Sequence, residues 1–160
     1  VTFPKSVGQI PFAFPFKPGS DESSETSVYG ALYPFGHGLS YTTFQYSDLV
    51  ISPSKQGVQG NISISCTIKN IGQREGDEVV QLYLRDEVSS VTTYTQVLRG
   101  FERITLKPEA SHTVHFELTP QELGIWDKQM NFTVEPGMFK VMIGSSSKDI
   151  RLKGEFEIAQ

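Results

Sequence analysis

Residues 62–69 alternate without a break: Ile62, Ile64, Cys66 and Ile68 are apolar, while Ser63, Ser65, Thr67 and Lys69 are polar. A period of two is the pattern of a strand with one buried face. Asn70-Ile71-Gly72 closes that strand with turn chemistry. Val114, Phe116 and Leu118 alternate again. Residues 79–84 are instead a near-continuous apolar and aromatic run, which predicts a strand covered on both faces or central in its sheet. Residues 96–106 form another strand region, and Gly100 inside it predicts a bulge or a bend. Thr119-Pro120-Gln121-Glu122-Leu123 carries a capping residue, a proline in the first turn and a carboxylate, so a single helical turn is predicted there. A first strand ends near Ile51, and the last ones cover 132–135, 138–143 and 149–158, separated by Pro136-Gly137 and Gly144-Ser145-Ser146-Ser147.

About seven short strands with no long amphipathic helix predict an all-β fold, an antiparallel β-sandwich of the immunoglobulin or fibronectin type III kind. Residues 28–160 would form this sandwich. Residues 1–18 break the pattern, with four prolines and four phenylalanines but neither a helical nor a strand period. Proline fixes φ and removes a backbone donor, so an extended or irregular N-terminal arm is expected. Its Phe side chains need something to pack on, and part of the arm is read as a connection to another domain. Phe12, Phe14 and Phe16 are also candidates for self-association. Residues 19–27 have no large apolar side chain and three acidic ones, which predicts a flexible acidic Ser-rich loop. Val1 is not an initiator methionine, and the reading at this stage is that something lies upstream.

Length and composition add limits. The 160 residues are 38% hydrophobic and 20% charged, consistent with one domain around one core. Net charge is −4, from 14 basic and 18 acidic residues, and the basic ones are scattered singly. No stripe exists to neutralise a phosphate backbone, so nucleic acid is not an expected partner. No apolar run approaches the ~20 residues of a membrane-spanning helix, and no signal peptide is recognisable. Cys66 is the single cysteine and lies inside an apolar stripe, where a buried structural thiol is the economical reading.

Candidate chemistry is sparse. Paired carboxylates must converge to act as acid and base, yet Asp77/Glu78 and Asp86/Glu87 are sequence neighbours that a strand points to opposite faces. Solvated strand ends that deter edge pairing explain them better. His112 and His115 should also diverge, so no metal site is expected. His37 lies between two glycines and reads as a structural or interdomain contact. No Gly-x-Ser-x-Gly elbow and no phosphate-binding glycine motif occur, and no cofactor is expected. Tyr94 and Trp126 fall in predicted loops and are candidates for stacking on sugar rings, although a lone Trp in a sandwich more often plugs the core. Asn61-Ile62-Ser63 and Asn131-Phe132-Thr133 fit the N-glycosylation pattern, which is common by chance.

One string is more specific. Leu-Tyr-Pro-Phe-Gly-His-Gly-Leu-Ser-Tyr-Thr-Thr-Phe at 32–44 resembles the signature by which family 3 glycoside hydrolases, the β-glucosidases and β-xylosidases, enter their C-terminal fibronectin type III-like domain. Gly76-Asp77-Glu78-Val79-Val80-Gln81-Leu82-Tyr83, Ser89-Ser90-Val91, Leu98-Arg99-Gly100-Phe101, Gly144-Ser145-Ser146 and Asp149-Ile150-Arg151-Leu152 resemble the same domain in the same order. Phe3-Pro4-Lys5-Ser6-Val7-Gly8-Gln9-Ile10-Pro11 is similar to the close of the family's preceding α/β sandwich domain. Thr93-Tyr94 and Pro108-Glu109-Ala110 depart from the family's usual turns.

The resemblance implies a non-catalytic accessory domain. In such enzymes the nucleophilic Asp and the acid/base Glu lie in upstream domains, so no catalytic residue carries over. The parent would hydrolyse terminal β-linked glucose or xylose with retention, acting on oligo- or polysaccharide outside the cytoplasm, secreted or periplasmic. This domain would brace the upstream catalytic domains, and Tyr33, Phe35, His37 and Tyr41 would face them or edge the active-site mouth. A carbohydrate-binding or surface-adhesion module using Tyr94 and Trp126 is the alternative.

Overall fold

A computed structural model describes residues 2–8, 14–18 and 30–160. The acidic Ser-rich segment and Phe12 lie outside the described residues. In chain order the elements are β1 (Phe3–Pro4), β2 (Ala31–Tyr33), β3 (Phe44–Ser52), β4 (Lys55–Gly57), β5 (Ile62–Asn70), β6 (Gly76–Asp86), β7 (Val97–Leu106), β8 (Ser111–Leu118), α1 (Pro120–Leu123), β9 (Ile125–Trp126), β10 (Phe132–Thr133), β11 (Gly137–Gly144) and β12 (Ile150–Ala159). The fold is all-β.

Two sheets account for most of it. One has five strands in the order β4-β12-β11-β6-β7, and the other has three in the order β3-β5-β8. Both contribute to one apolar core. Ile62, Ile64, Cys66 and Ile68 of β5, with Val114 and Leu118 of β8, are buried together with Val80, Leu82 and Leu84 of β6 and Phe139, Val141, Ile143, Phe156 and Ile158 of β11 and β12. The expected seven strands become eight in these sheets. The addition is β4, a three-residue edge strand parallel to β12 whose Lys-Gln-Gly sequence carries no alternation. The predicted 132–135 strand shrinks to β10, which pairs only with β9.

The both-face burial of β6 has a local cause. Val80, Leu82 and Leu84 face the core, while Gln81 and Tyr83 point the other way and are buried too. Phe14 of the arm stands edge-on to Tyr83 at 5.8 Å and stacks on Phe35 at 4.4 Å. Thr95 N–H and Oγ1–H both donate to the Phe16 carbonyl, at 2.9 and 3.1 Å. The arm therefore leans on its own chain, where an external partner had been expected for its Phe side chains. Phe14 and Phe16 are half-buried there.

The bulge expected at Gly100 is present. Gly100 pairs with Leu82 and Leu98 with Tyr83, so Arg99 is the unpaired extra residue. A Cβ on Gly100 would lie 2.9 Å from Phe116 Cδ1, so the glycine lets the two sheets approach at this point. The single helical turn also forms. Thr119 Oγ1 accepts from Gln121 N–H at 3.3 Å, and the Glu122 carboxylate accepts from Thr119 N–H at 2.8 Å, which completes a capping box.

Asn70 closes one end of the molecule. Its fully buried amide accepts from Thr42 Oγ1 (2.7 Å) and Gly72 N–H (3.0 Å) and donates to the Arg74 and Leu106 carbonyls (2.7 and 2.9 Å). Asn70→Ala would leave these four groups without that partner and is expected to cost about 3 kcal/mol in urea unfolding. A loss below about 0.5 kcal/mol would contradict this role.

Candidate functional site

Two surfaces gather the residues singled out by sequence. The first is built on the strap that follows β2. Pro34 to His37 closes a turn, with His37 N–H donating to the Pro34 carbonyl at 3.1 Å and Gly36 at φ +80°. The buried Gln81 amide donates to the carbonyls of Gly36 (3.0 Å) and Ser145 (2.6 Å), and its oxygen accepts from the Tyr83 hydroxyl (2.5 Å). Ser147 N–H donates to the Phe35 carbonyl at 3.0 Å, and Gln96 Nε2 to the Ser147 carbonyl at 2.8 Å. The strap is thus pinned to β6 and to the β11–β12 turn.

Beyond that anchor the side chains face water. His37 is exposed and stacks on Tyr33 with centroids 5.1 Å apart. Leu39 is 93% exposed and Tyr41 92%. A groove of about 800 Å³ runs beside the strap, lined among others by Phe35, His37, Leu39, Val79 and Phe101. Its charges are mostly paired. Asp77 is held below the ordinary carboxylate range by Arg103 and by Thr105 Oγ1, and Asp149 by Arg151 and then Ser145 Oγ. Burial pushes the Glu78 carboxyl up. Tyr33 and His37 stack on each other, Phe35 turns inward onto Phe14, and Tyr41 lies exposed further along the strap beside Leu39.

The second surface unites Tyr94 and Trp126, which line one cleft of about 290 Å³. Trp126 does not plug the core. It is 59% exposed on the β9–β10 ribbon, edge-on to Phe132 at 5.5 Å, because the Asp127 turn lifts this two-strand pair off the main sheets. Tyr94 is 43% exposed, with Lys17 Nζ 6.0 Å from its ring centre. Leu84, Leu123 and Phe139 line the cleft from the buried core.

Sequence reasoning did not bring Arg99 and Glu122 to this cleft, and it read Asp86 as a solvated strand end. Their signals were present separately. The Gly100 bulge leaves Arg99 lining the cleft together with Val97, Leu84 and Asp86, and the capping box holds Glu122, whose charge acts on Arg99. Burial pushes the Asp86 carboxyl up to about 6, aided by the Glu135 and Glu87 charges and opposed by the Val88 N–H. Arg99 and Thr119 instead help hold Glu122 low, the Thr119 hydroxyl most of all.

The remaining candidates stay apart. Asp77 binds Arg103 and Thr105, Glu87 binds Arg85 and Lys140, and neither converges with its sequence neighbour. His112 lies 3.5 Å from Glu102, opposite Ile68, whereas His115 lies opposite Ser65. Among the described residues no three His, Cys, Asp or Glu side chains are grouped as metal ligands. Cys66 is buried, and burial pushes its thiol up to about 11. Asn61 donates to Glu117 and Asn131 to Asp127.

Residues 78–147 match the fibronectin type III-like domain family, and the chain carries that domain. Its relatives include a periplasmic β-glucosidase of Salmonella typhimurium, 41% identical over 99% of this chain and 22% of that protein. A β-xylosidase of Formosa agariphila is 41% identical over 96% of this chain and 22% of that protein. Among solved structures, a β-glucosidase from Erythrobacter marinus superposes with a TM-score of 0.90 at 34% identity, covering 99% of this chain and 21% of that one. A β-glucosidase from Listeria innocua in complex with glucose gives 0.87 at 31%, covering 99% and 24%. The chain spans about a fifth of the length of the curated relatives it matches.

The raised Asp86 carboxyl makes a prediction. The folded protein holds this proton more tightly than the unfolded chain, so the contribution to stability is full below 3.8 and is lost as pH rises through about 6. Asp86→Asn removes that loss. Relative to wild type, after discounting for solvent contact, it should gain about 1 kcal/mol at pH 7 and nothing near pH 3. Urea unfolding at both pH values measures it, and an identical difference at the two would count against the burial of this carboxylate.

Proposed function

We propose that this chain is the C-terminal accessory domain of a family 3 glycoside hydrolase, and that its strap docks on the catalytic part of the same polypeptide. The observation that carries the reading is the strap itself. Leu39 and Tyr41 stand almost fully in water on a backbone anchored by a buried amide, beside a wide groove flanked by the exposed Phe101. Apolar side chains held rigidly outward are the mark of an interface. The occupant is the remainder of the parent, because relatives matched across nearly all of this chain are about five times as long.

In this reading residues 28–160 form a fibronectin type III-like sandwich of the two sheets over their shared core, 19–27 is a linking loop, and 1–18 is the close of the preceding domain. Tyr33, Phe35, His37 and Tyr41 make the interdomain contact and edge the active-site mouth. The parent hydrolyses terminal β-linked glucose or xylose with retention, outside the cytoplasm; the naming of one relative as periplasmic supports that compartment. Self-association through Phe12, Phe14 and Phe16 is disfavoured, since Phe14 and Phe16 already rest on this chain.

Leu39→Ser with Tyr41→Ser should destabilise docking in the parent by about 3 kcal/mol, from the two side chains' lost burial. Thermal unfolding of the parent then falls, while that of the 160-residue chain alone stays within error, because both residues are exposed in it. Equal shifts in both proteins, or none in the parent, would contradict docking. Aryl β-glucosides and β-xylosides should be cleaved by the parent and left intact by this chain; turnover by the purified chain overturns the reading.

A further inference from the structure

We infer that the cleft between Tyr94 and Trp126 is an oligosaccharide-binding site, with Asp86 and Arg99 as its hydrogen-bonding groups. The ligand class follows from the chemistry of the walls. A sugar ring offers apolar C–H faces and a rim of hydroxyls, so it is recognised by aromatic rings together with charged groups that accept and donate. Trp126 and Tyr94 supply exposed rings at the mouth. Asp86 supplies acceptors, and Arg99, left unpaired in the ladder by the Gly100 bulge, supplies donors on the same side. Leu84, Leu123 and Phe139 close the inner wall and exclude water, which strengthens both polar groups.

The shape selects an oligosaccharide over a monosaccharide. A second hollow of about 290 Å³ adjoins the cleft, sharing Asp86 and the stretch from Val91 to Tyr94 with it and adding Arg85, Glu87, Ser89 and Thr95. Each hollow has room for a sugar ring, and Asp86 and Tyr94 are common to both. Three carboxylates, Asp86, Glu87 and Glu122, and three cations, Lys17, Arg85 and Arg99, line this surface, so no excess of either charge selects an ionic ligand over a neutral one. The site is separate from the strap, whose groove shares none of these residues.

The choice of neutral glycan as ligand rests on the glycosidase reading of the parent, and the test separates the two. Trp126 is the only tryptophan in the chain, so its emission reports on this cleft alone. Titration of the 160-residue chain with cellotetraose and with xylotetraose should give a saturable emission change with at least one, with millimolar affinity of order 4 kcal/mol. Tyr94→Ala and Asp86→Asn should each weaken binding by about tenfold or more. Calorimetry with Trp126→Ala, whose side chain is exposed, should show binding lost while thermal unfolding stays cooperative.

No saturable change with either sugar overturns the site, as does undiminished binding in both Tyr94→Ala and Asp86→Asn. A parent that hydrolyses aryl glycosides while the chain fails to bind sugar sinks this inference alone. Binding by the chain with an inactive parent sinks the glycosidase reading and leaves the site standing.

Discussion

The buried amide of Gln81 is the constraint on which the position of the exposed strap depends. It sits in an interior strand between the core-facing Val80 and Leu82, so alternation points its side chain away from the core onto the outer face of the sheet. An uncovered apolar-flanked face would be filled by water, and the amide would gain nothing from order. Here it is covered by the strap, and its bonds to Gly36, Ser145 and Tyr83 give both N–H groups and the oxygen a partner. The cover is reciprocal. Gly36 adopts a left-handed φ and leaves no room for a side chain, since a Cβ there would lie 2.0 Å from Gln81 Oε1. The glycine and the glutamine therefore require each other.

From that anchor the geometry of the exposed face follows. Once Gly36 is held, Phe35 turns inward onto Phe14, and the next residues are carried outward over the β6–β7 edge. Asn70 performs a matching task at the far end, where it ties Thr42, two residues before β3, to Leu106 at the end of β7. The strap thus runs between two buried amides, one near each end. A segment tied at both ends loses less entropy when it docks than a free loop would. This is the physical sense in which the sequence 35–44 can act as a preformed contact surface.

Much of the fold was legible because the deciding forces are local or periodic. The alternation in β5 and β8 encodes one buried face each, and the Thr119 cap encodes a turn from five residues. The Gly100 bulge was also readable. What it accomplishes was not, because the gathering of Arg99, Asp86 and Glu122 around one cleft depends on pairing between β6 and β7 and on the distant capping turn. The exposure of Trp126, placed in a loop as a stacking candidate with a core plug as the alternative, could not be decided from sequence for a related reason. Its burial is set by a two-residue ribbon whose Asp127 turn detaches it from the core, and hydropathy carries no record of that. The Phe-rich arm was read as awaiting an outside partner, since nothing in its own pattern shows that Phe35 and Tyr83 receive Phe14.

The electrostatics of the Tyr94–Trp126 cleft distinguish it from an ordinary strand edge. Surface carboxylates usually lie near a cation or a donor that holds their pKa down, as Asp77, Glu87 and Asp149 do. Asp86 is the reverse: burial and two neighbouring carboxylates push it up, and ionising it at neutral pH opposes folding. A charge placed where it weakens the fold is poorly explained by stability, because asparagine would fill the same space without that cost. It is well explained by a ligand, whose hydroxyls would replace the solvation the cleft denies to the carboxylate. Arg99 shows the same economy, being displaced from the ladder by a bulge that the core requires at Gly100. One packing requirement between the sheets therefore delivers the cation to a cleft where an under-solvated anion and two exposed rings already stand.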